Sequence, residues 1–435
     1  MTAKKWRACG LLTCLACGGP GCTVFPHSIS LIFHTHYELK GSVSDLVALF
    51  FEKGALGAIA SVWPAVTARG AMIVAAFGLF EAFLQLYLPG RIYKGPITPN
   101  GNVPTYVGNG LQAFTVTHVV LFALHFSGVF NLATVYDELG SILTTLNYFA
   151  LLFCLALFIK GHVAPSSTDS GSSGNYMFDY YWGMELYPRL GKHFDLKFWT
   201  NCRVGMMGWS VLLNVYAIAQ LERSGHIGNA MLISVILQQV YIAKFFWWES
   251  GYMSSIDIMH DRAGFYICWG CLVWVPCFYT SPTMYLVPHA DDLPLAYAVP
   301  LFIFGLTMIF VNYWADAQRA DVRATGGETT VFGKKPKLIR AKYTTAQGEE
   351  KTSLLLVSGF WAISRHFHYV PELLAALSWT VPQPNHLLPY AYFLFLVVLL
   401  FDRAVRDEGR CRAKYGKYYD QYVEQVPYKV IPYIF

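Results

Sequence analysis

A cluster of polar side chains lies beside an apolar run late in the sequence. Arg365, His366, His368 and Tyr369 follow the apolar and small residues that begin at Leu354. So polar a group is costly in an apolar environment unless its side chains have something to bind. Together with the basic stretch after it, the cluster predicts an anionic cofactor held at the rim of a membrane-embedded pocket.

Two arginines earlier in the chain have the chemistry to bind phosphate. Arg319 and Arg323 are four residues apart, so on a helix their side chains would share one face. Guanidinium groups match the geometry of phosphate oxygens, and two of them can clamp one phosphate. Anchoring to anionic lipids explains the same spacing equally well, and the spacing leaves both interpretations open.

The segment 402–422 combines charged residues with tyrosines. Arg403 and Asp407 are one helical turn apart, as are Asp407 and Cys411, and we expect a helix as far as about Tyr415. A stripe of aromatic side chains could line a nucleotide site: Tyr415, Tyr418, Tyr419 and Tyr422. An interfacial membrane helix carries the same residues, so this segment alone does not decide between the two.

The composition places these residues in a membrane protein. Of the 435 residues, 55% are hydrophobic and 14% are charged, whereas soluble domains carry about 25% charged residues. About 20 apolar residues cross a bilayer core. Such windows predict an all-α polytopic protein of about ten spans, near 9–33, 71–89, 111–131, 141–160, 203–221, 230–248, 264–280, 295–314, 353–380 (broken or re-entrant) and 387–402.

Charge distribution predicts the topology. Basic residues concentrate at 4–7, in a polar segment 315–352 and after 402. Because cytosolic loops carry an excess of lysine and arginine, we expect these segments and both termini on the cytosolic side. The first apolar stretch predicts an uncleaved signal anchor or first membrane helix.

Two cysteine pairs have the spacing of metal or redox motifs. Cys14 and Cys17, and Cys268 and Cys271, are each separated by two residues. Both pairs lie in apolar segments far apart in sequence, so we expect small buried side chains and no metal site.

Two longer motifs resemble those of the membrane sterol reductases, which saturate double bonds of sterols (the Δ14- and Δ7-sterol reductases and the fungal C-24(28) reductase). Gly174–Arg189 is similar to the first signature of that family, with Tyr187 where many members have asparagine. Leu356–Tyr369 is similar to the second, with His368 in place of an asparagine. The resemblance covers most of the chain from about Asn109 onward.

Individual positions in and near the second motif are most similar to the Δ7-sterol reductases, the Δ7 branch of the family. Phe360-Trp361 and Arg365-His-Phe367 match that branch, whereas the Δ14 enzymes tend to have Trp-Trp and Arg-His-Pro at these places. The run Gly333-Lys-Lys-Pro-Lys337 is also similar. The resemblance implies N-terminal membrane helices and loops over 1–110, a sterol-reductase membrane core over 111–315, and a cofactor-binding half with late helices and a basic tail over 316–435.

The resemblance also implies the cofactor, NADPH. Its contacts are carried over to Arg319, Arg323, Leu356, Trp361, His368, Tyr369, Asp407, Cys411, Arg412, Ala413, Lys414, Tyr415 and Tyr422, and Arg403 is placed in the same set. For the arginine pair, this favours the phosphates of the nucleotide over lipid. No Gly-x-Gly-x-x-Gly follows a strand, so we expect no Rossmann domain.

The implied reaction is NADPH-dependent reduction of the C7–C8 double bond of Δ5,7-sterols, for sterol biosynthesis in the endoplasmic reticulum membrane. A ring alkene has no neighbouring carbonyl to accept electrons, so protonation followed by hydride delivery is the expected route. The implied partners are the membrane sterol, the bilayer and other sterol-pathway enzymes, with no nucleic acid.

The sequence leaves the identity of the acid open. Asp407 is the first candidate, although a salt bridge to Arg403 or a hydrogen bond to the cofactor carboxamide would use the same carboxylate. His260 and Asp261 are the second candidate; adjacent residues on a helix point apart, so we expect no direct pairing between them. Tyr279 is either a proton relay or an interfacial anchor.

Three other functions are consistent with parts of the sequence. One is Δ14-sterol reduction within the same family. Another is an isoprenylcysteine-type membrane methyltransferase, whose tail resembles Arg403–Tyr419 but which has no counterpart of Gly174–Arg189. The third is a non-catalytic sterol sensor or membrane scaffold, which would bind sterol without consuming NADPH.

Overall fold

The computed structural model describes residues 21–98, 100–290, 292–344, 348–384 and 386–435, with side chains from Pro26 onward. About 65% of the described residues are helical. The basic residues at 4–7, the first part of the predicted span 9–33, and the pair Cys14 and Cys17 lie outside the described residues.

Helices make up most of the described chain. In chain order they are α1 (Gly21–Phe33), α2 (Val43–Ser61), α3 (Ala68–Tyr87), α4 (Gly110–Phe126), α5 (Ala133–Asp137), α6 (Leu139–Val163), α7 (Tyr176–Trp182), α8 (Leu196–Ser224), α9 (Asn229–Trp247), α10 (Glu249–Tyr252), α11 (Ile256–Met259), α12 (Ser281–Leu286), α13 (Leu295–Ala324), α14 (Tyr369–Thr380), α15 (Tyr390–Tyr415) and α16 (Lys417–Gln425). Wider π-helical turns form His34–Glu38, Trp199–Met206 within α8, and the separate π-helix Phe265–Tyr279.

Five helices in the described ranges are long and apolar enough to cross a membrane, namely α3, α6, α8, α9 and α13. The shorter apolar helix α4 coincides with a sixth predicted span. The expected total of about ten is therefore not confirmed. Helix α13 continues to Ala324 instead of ending near 314, so the start of the predicted loop 315–352 is helical, and Arg319 and Arg323 lie on one helix as their spacing predicted. The predicted broken span 353–380 is a strand, a 3₁₀ turn (Gly359–Ala362) and α14.

Short strand pairs occupy three of the connections, and the sequence analysis did not predict them. They are β1 (Arg91–Lys94) with β2 (Thr105–Gly108), β3 (Arg189–Leu190) with β4 (Phe194–Asp195), and β5 (Leu338–Thr344) with β6 (Glu350–Leu356), all antiparallel. In β5, Ile339 and Ala341 are buried while Arg340 and Lys342 are exposed, as the two-residue period of a strand requires. The described strands form no parallel sheet.

The hydrophobic interior consists of separate clusters of packed side chains, and these clusters position the polar residues. The largest cluster joins α1, α3, α6, α8 and the π-helix. A second joins α9, α13, α14 and α15. In a third, Ile339 and Leu355 of the β5–β6 hairpin pack against Tyr415, Tyr419 and Tyr422 at the end of α15 and in α16.

One ion pair is completely buried in the helical body. Arg203 on α8 is 0% exposed. Its Nη1 lies 2.5 Å from Glu249 Oε1, and its Nη2 donates to Asn109 Oδ1 at 2.7 Å. The other oxygen of Glu249 accepts from the backbone N–H of Gly110 at 3.0 Å, an approach that a Cβ at Gly110 would block. The pair thereby joins α4, α8 and α10.

A buried lysine fixes the loop that follows α10. The ammonium of Lys197 donates to the carbonyl oxygens of Asp257, Ile258 and Asp261 at 3.0, 2.8 and 2.8 Å. These bonds satisfy carbonyls at the end of α11, which have no partner within the helix. The carboxylates of Asp257 and Asp261 are thereby held facing α15.

Candidate functional site

Arg319 and Trp361 are in direct contact. The guanidinium carbon of Arg319 lies 4.1 Å from the centroid of the Trp361 indole, within the range of a cation–π interaction. The indole N–H donates to the carbonyl of Ala315 on α13 at 2.8 Å, which fixes the ring, and Asp316 accepts from Arg319 at 3.0 Å. Two residues of the predicted cofactor set, 42 positions apart, are thus brought together.

Arg323 lies one turn further along α13 and is less constrained. Its Nε is 3.5 Å from the carbonyl of Leu354, longer than a good hydrogen bond. It forms no ion pair with any described residue, and its side chain is exposed. A cation without a carboxylate partner is available to bind an anion such as phosphate.

The histidines of the second motif are buried and incompletely hydrogen-bonded. His366 Nε2, His368 Nδ1 and Arg365 Nε have no hydrogen-bond partner among the described residues. Burial lowers the pKa of His366 to about 4, so its imidazole is neutral near pH 7. Buried polar atoms without partners call for an explanation such as a bound ligand. Their presence beside Arg319 and Trp361 fits a nicotinamide dinucleotide, whose carboxamide and hydroxyls need hydrogen-bond partners.

The carboxylate of Asp407 pairs with Arg410, and not with Arg403 as one of the predictions had it. Arg410 Nε donates to Asp407 Oδ1 at 3.0 Å, whereas Arg403 Nη2 lies 2.8 Å from Asp257 Oδ2. Burial alone would raise the pKa of Asp407, but the charge and hydrogen bond of the Arg410 guanidinium hold it below its usual value. An ionised carboxylate accepts hydrogen bonds, so this arrangement does not favour Asp407 as the acid.

The other predicted cofactor residues surround the β5–β6 hairpin. The hydroxyl of Tyr415 donates to Ser353 Oγ at 3.3 Å, and Tyr415 and Tyr422 are buried against the hairpin. Leu356 packs with Trp361. The remaining ones do not contact the Arg319–Trp361 pair: Cys411 lies 3.8 Å from Asp407 Oδ2, Arg412 3.4 Å from Glu408 and Lys414 4.2 Å from the ring of Tyr343, and Ala413 is exposed.

His260 and Asp261 pair directly, so the expectation that they would not pair was wrong. His260 Nδ1 lies 2.9 Å from Asp261 Oδ1. Helix α11 ends at Met259, so the geometry of adjacent helical residues does not apply to them. Arg406 approaches the second oxygen of Asp261 at 3.5 Å and donates to the hydroxyl of Tyr266 at 3.2 Å.

Tyr279 belongs to an aromatic interior formed by five side chains, Trp209, Tyr241, Tyr279, Trp379 and Tyr392. Neighbouring ring centroids are 5.1–5.9 Å apart. At one side of it, Tyr369 packs on the same cluster. Tyr369 also stacks with His366, at 5.3 Å and an interplanar angle of 7°. Tyr369 and, through it, His366 therefore lie beside an apolar cluster of packed aromatic side chains in the helical body.

Sequence reasoning missed a polar network in this aromatic interior. The hydroxyl of Tyr241 donates to Glu372 Oε1 at 2.5 Å, and the ammonium of Lys244 lies 4.6 Å from the Tyr241 ring centroid. Lys244 in turn donates to Asn312, whose amide donates to the carbonyl of His368 at 2.9 Å. The available signal was the presence of single charged residues, Lys244 and Glu372, inside otherwise apolar helices.

Comparison of the amino-acid sequence with known proteins identifies the relatives of this chain. Residues 20–435 match the model of the ergosterol biosynthesis ERG4/ERG24 family. The chain is 52% identical over 411 residues to 7-dehydrocholesterol reductase of Arabidopsis thaliana, covering 94% of this chain and 95% of the relative. It is 36% identical to 7-dehydrocholesterol reductase of Xenopus laevis, covering 90% and 86%. To Delta(14)-sterol reductase of Methylotuvimicrobium alcaliphilum it is 34% identical, covering 85% and 84%.

The family match extends over both sequence motifs and over every residue assigned to the candidate site. It agrees with a multi-pass membrane protein built on apolar helices. The chain therefore belongs to the ERG4/ERG24 family of sterol reductases.

Proposed function

We propose that the chain reduces the C7–C8 double bond of Δ5,7-sterols with NADPH, in the endoplasmic reticulum membrane and with both termini in the cytosol. The observation that carries the proposal is the position of the Arg319–Trp361 pair and the histidine motif beside the aromatic interior. Relatives named 7-dehydrocholesterol reductase, one of them 52% identical, support the Δ7 position. The match over 20–435 favours a reductase over a methyltransferase.

For the cofactor, the proposal assigns binding to residues of α13, the 353–369 segment and α15. Arg319 and Arg323 suit the phosphates because both present guanidinium groups on one face of α13. Trp361 positions the guanidinium of Arg319 through their cation–π contact, and the unpartnered nitrogens of His366 and His368 offer hydrogen bonds. When bound, NADPH would supply the hydride. The division into 1–110, 111–315 and 316–435 remains part of the same proposal.

For the proton, the geometry favours Tyr241 over the earlier candidates. Its hydroxyl is held in place by the hydrogen bond that it donates to Glu372, and the ammonium of Lys244 lies 4.6 Å from the ring centroid, where its charge would attract a phenolate formed by proton transfer to the sterol. Protonating one alkene carbon leaves a carbocation at the other. The faces of Trp209, Tyr279 and Trp379 can stabilise that positive charge until hydride arrives. The reaction then consumes one proton and one hydride for each double bond.

A second candidate function is reduction of the C14–C15 double bond, because a relative named Delta(14)-sterol reductase is 34% identical over 370 residues. Expression in a yeast that accumulates Δ5,7-sterols, followed by gas chromatography, separates the two. Loss of the diene is the expected result, and the same yeast carrying the empty expression vector serves as control. Persistence of the diene while a Δ14-sterol is reduced would overturn the Δ7 assignment. Assays of purified protein with NADPH and NADH test the choice of cofactor.

A further inference from the structure

Helix α13 defines the membrane edge beside the segment that follows it. Its apolar part runs from Leu295 to Trp314, 20 residues, and about 20 residues cross the hydrocarbon core. Charged residues begin at Asp316, two positions later. Trp314 is 41% exposed, and exposed tryptophans concentrate at membrane–water interfaces. Trp314 therefore lies at the level of the lipid headgroups.

A tight turn packs against Trp314. Val331 and Lys334 exchange two backbone hydrogen bonds, at 2.8 and 3.2 Å, and between them Phe332 has φ 50° and Gly333 φ 73°. A left-handed backbone is unfavourable for a bulky residue such as phenylalanine. Phe332 is nevertheless 54% exposed, and its ring makes T-shaped contacts with Trp314 and Phe360 at centroid distances of 5.3 and 5.1 Å. The turn thus presents an apolar ring outward at the depth of Trp314.

Basic residues follow Phe332 closely in the sequence. Lys334, Lys335 and Lys337 are exposed, and no ion pair joins them to any residue within the described ranges. Arg340 and Lys342 extend the positive charge along the exposed face of β5. We name residues 331–337 the basic turn. An exposed aromatic ring beside unpaired lysines is the combination that binds interfaces rich in anionic lipid.

We propose that the basic turn docks on anionic phospholipid headgroups, with Phe332 inserted among them and the lysines bound to phosphate and carboxylate groups. The exposed lysines form no enclosed site for a single small anion, and flexible ammonium groups suit a diffuse negative surface. Trp314 already places the turn at the bilayer surface. The opposite face of the same hairpin packs on Tyr415 and Tyr422, so the docked lipid surface also supports the wall of the candidate cofactor site.

Photo-cross-linking tests this proposal. The purified full chain is reconstituted in phosphatidylcholine vesicles containing a photoactivatable analogue of either phosphatidylserine or phosphatidylcholine, and labelled peptides are located by mass spectrometry. We expect the serine lipid to label 331–342 in preference to the choline lipid. Lys335→Ser should reduce that preference on the order of fivefold, because each basic residue near an anionic membrane surface contributes about 1 kcal/mol of binding free energy. The control Lys351→Ser, in which the lost lysine pairs with Glu349 in the same hairpin, should leave it unchanged.

A second variant separates lipid contact from folding. Phe332→Asn places a residue that tolerates positive φ at this position, so its apparent melting temperature in detergent should not fall below that of the parent, while the labelling preference decreases. Equal labelling by the two lipids, a preference that survives both Lys335→Ser and Phe332→Asn, or an equal loss in Lys351→Ser would overturn the proposal. Abolition by inorganic phosphate would instead indicate a soluble-anion site and would also overturn it.

Discussion

The hydroxyl of Tyr241 on α9 and the carboxylate of Glu372 on α14 are joined by a 2.5 Å hydrogen bond inside an apolar, aromatic part of the helical body. Because Asn312 connects Lys244 to the backbone of His368, the network reaches the segment assigned to the cofactor. In the proposed reaction, Tyr241 as proton donor and the cofactor as hydride donor would therefore lie on two sides of the same aromatic cluster.

Replacing Tyr241 by phenylalanine removes the hydroxyl and keeps the ring. We expect kcat for sterol reduction to fall by about 10²–10⁴, the usual contribution of a positioned acid, with KM for NADPH unchanged. Steady-state kinetics of purified protein measure both. Tyr279→Phe, in the same aromatic interior, is the matched control. Full activity in Tyr241→Phe together with its loss in Tyr279→Phe would transfer the role of acid to Tyr279.

The unpaired guanidinium of Arg323 should contribute chiefly to cofactor binding. We expect Arg323→Ala to raise KM for NADPH about tenfold or more, since hydrogen bonds to charged groups are worth about 1.5–3 kcal/mol. The stabilisation of the protein against heat by added NADPH should decrease in parallel. Arg340→Ala removes an exposed arginine from the neighbouring hairpin and should change neither quantity. A fall in kcat at constant KM would contradict this role.

The pairing of Asp407 with Arg410 predicts a positioning role for this carboxylate. Asp407→Asn should weaken NADPH binding, as measured by thermal stabilisation, because it removes the charge that faces His366 and Arg410. Arg410→Gln should produce a smaller change in the same direction. If Asp407→Asn binds NADPH as tightly as the parent but reduces no sterol, the carboxyl group is the acid after all.

Burial of His366 makes the stability of the protein depend on pH. In the unfolded chain its imidazole titrates near pH 6.5, and in the folded chain near 4. Between these values the unfolded state binds more protons, so the free energy of unfolding decreases as the pH falls from 6.5 toward 4 and gains nothing further above 6.5. The charged groups that act on the ring are Arg319, Arg365, Asp407 and Glu408.

Thermal unfolding in detergent at about pH 7 and about pH 5 checks this dependence. His366→Gln should lose less stability than the parent between the two pH values, because glutamine takes up no proton. His226→Gln changes an exposed histidine and should leave the dependence as it is. If His366→Gln loses as much stability between the two pH values as the parent, other titratable groups cause the pH dependence of stability.

Local patterns allowed much of the helical architecture and the family resemblance to be predicted. Apolar windows located α3, α6, α8, α9 and the start of α13, because long runs without charge admit few alternatives. The end of α13 was missed because its last turns are polar; they remain helical while their side chains pack on Trp361 and the hairpin. The strand β5 was missed because its lysines and arginine made it resemble the rest of the polar segment 315–352, and β6 because its apolar end was assigned to the predicted span 353–380.

Partners within the candidate site were predicted less well, since contacts between distant segments leave no periodic signal. Arg403 was expected near Asp407, one turn away, but its partner is Asp257, held in place by Lys197 through backbone carbonyls. Tyr241 and Glu372 are 131 residues apart in sequence. Only the three-dimensional packing of α9 against α14 brings them together.

The buried pair of Arg203 and Glu249 constrains how the chain enters the membrane. Arg203 is synthesised 46 residues before Glu249, and burying a guanidinium without its carboxylate partner is costly. Asn109, already made, can satisfy only part of the guanidinium. Helix α8 should therefore stay with the insertion machinery until α9 and Glu249 have emerged, so that this part of the protein is released into lipid as a group of helices and not one helix at a time.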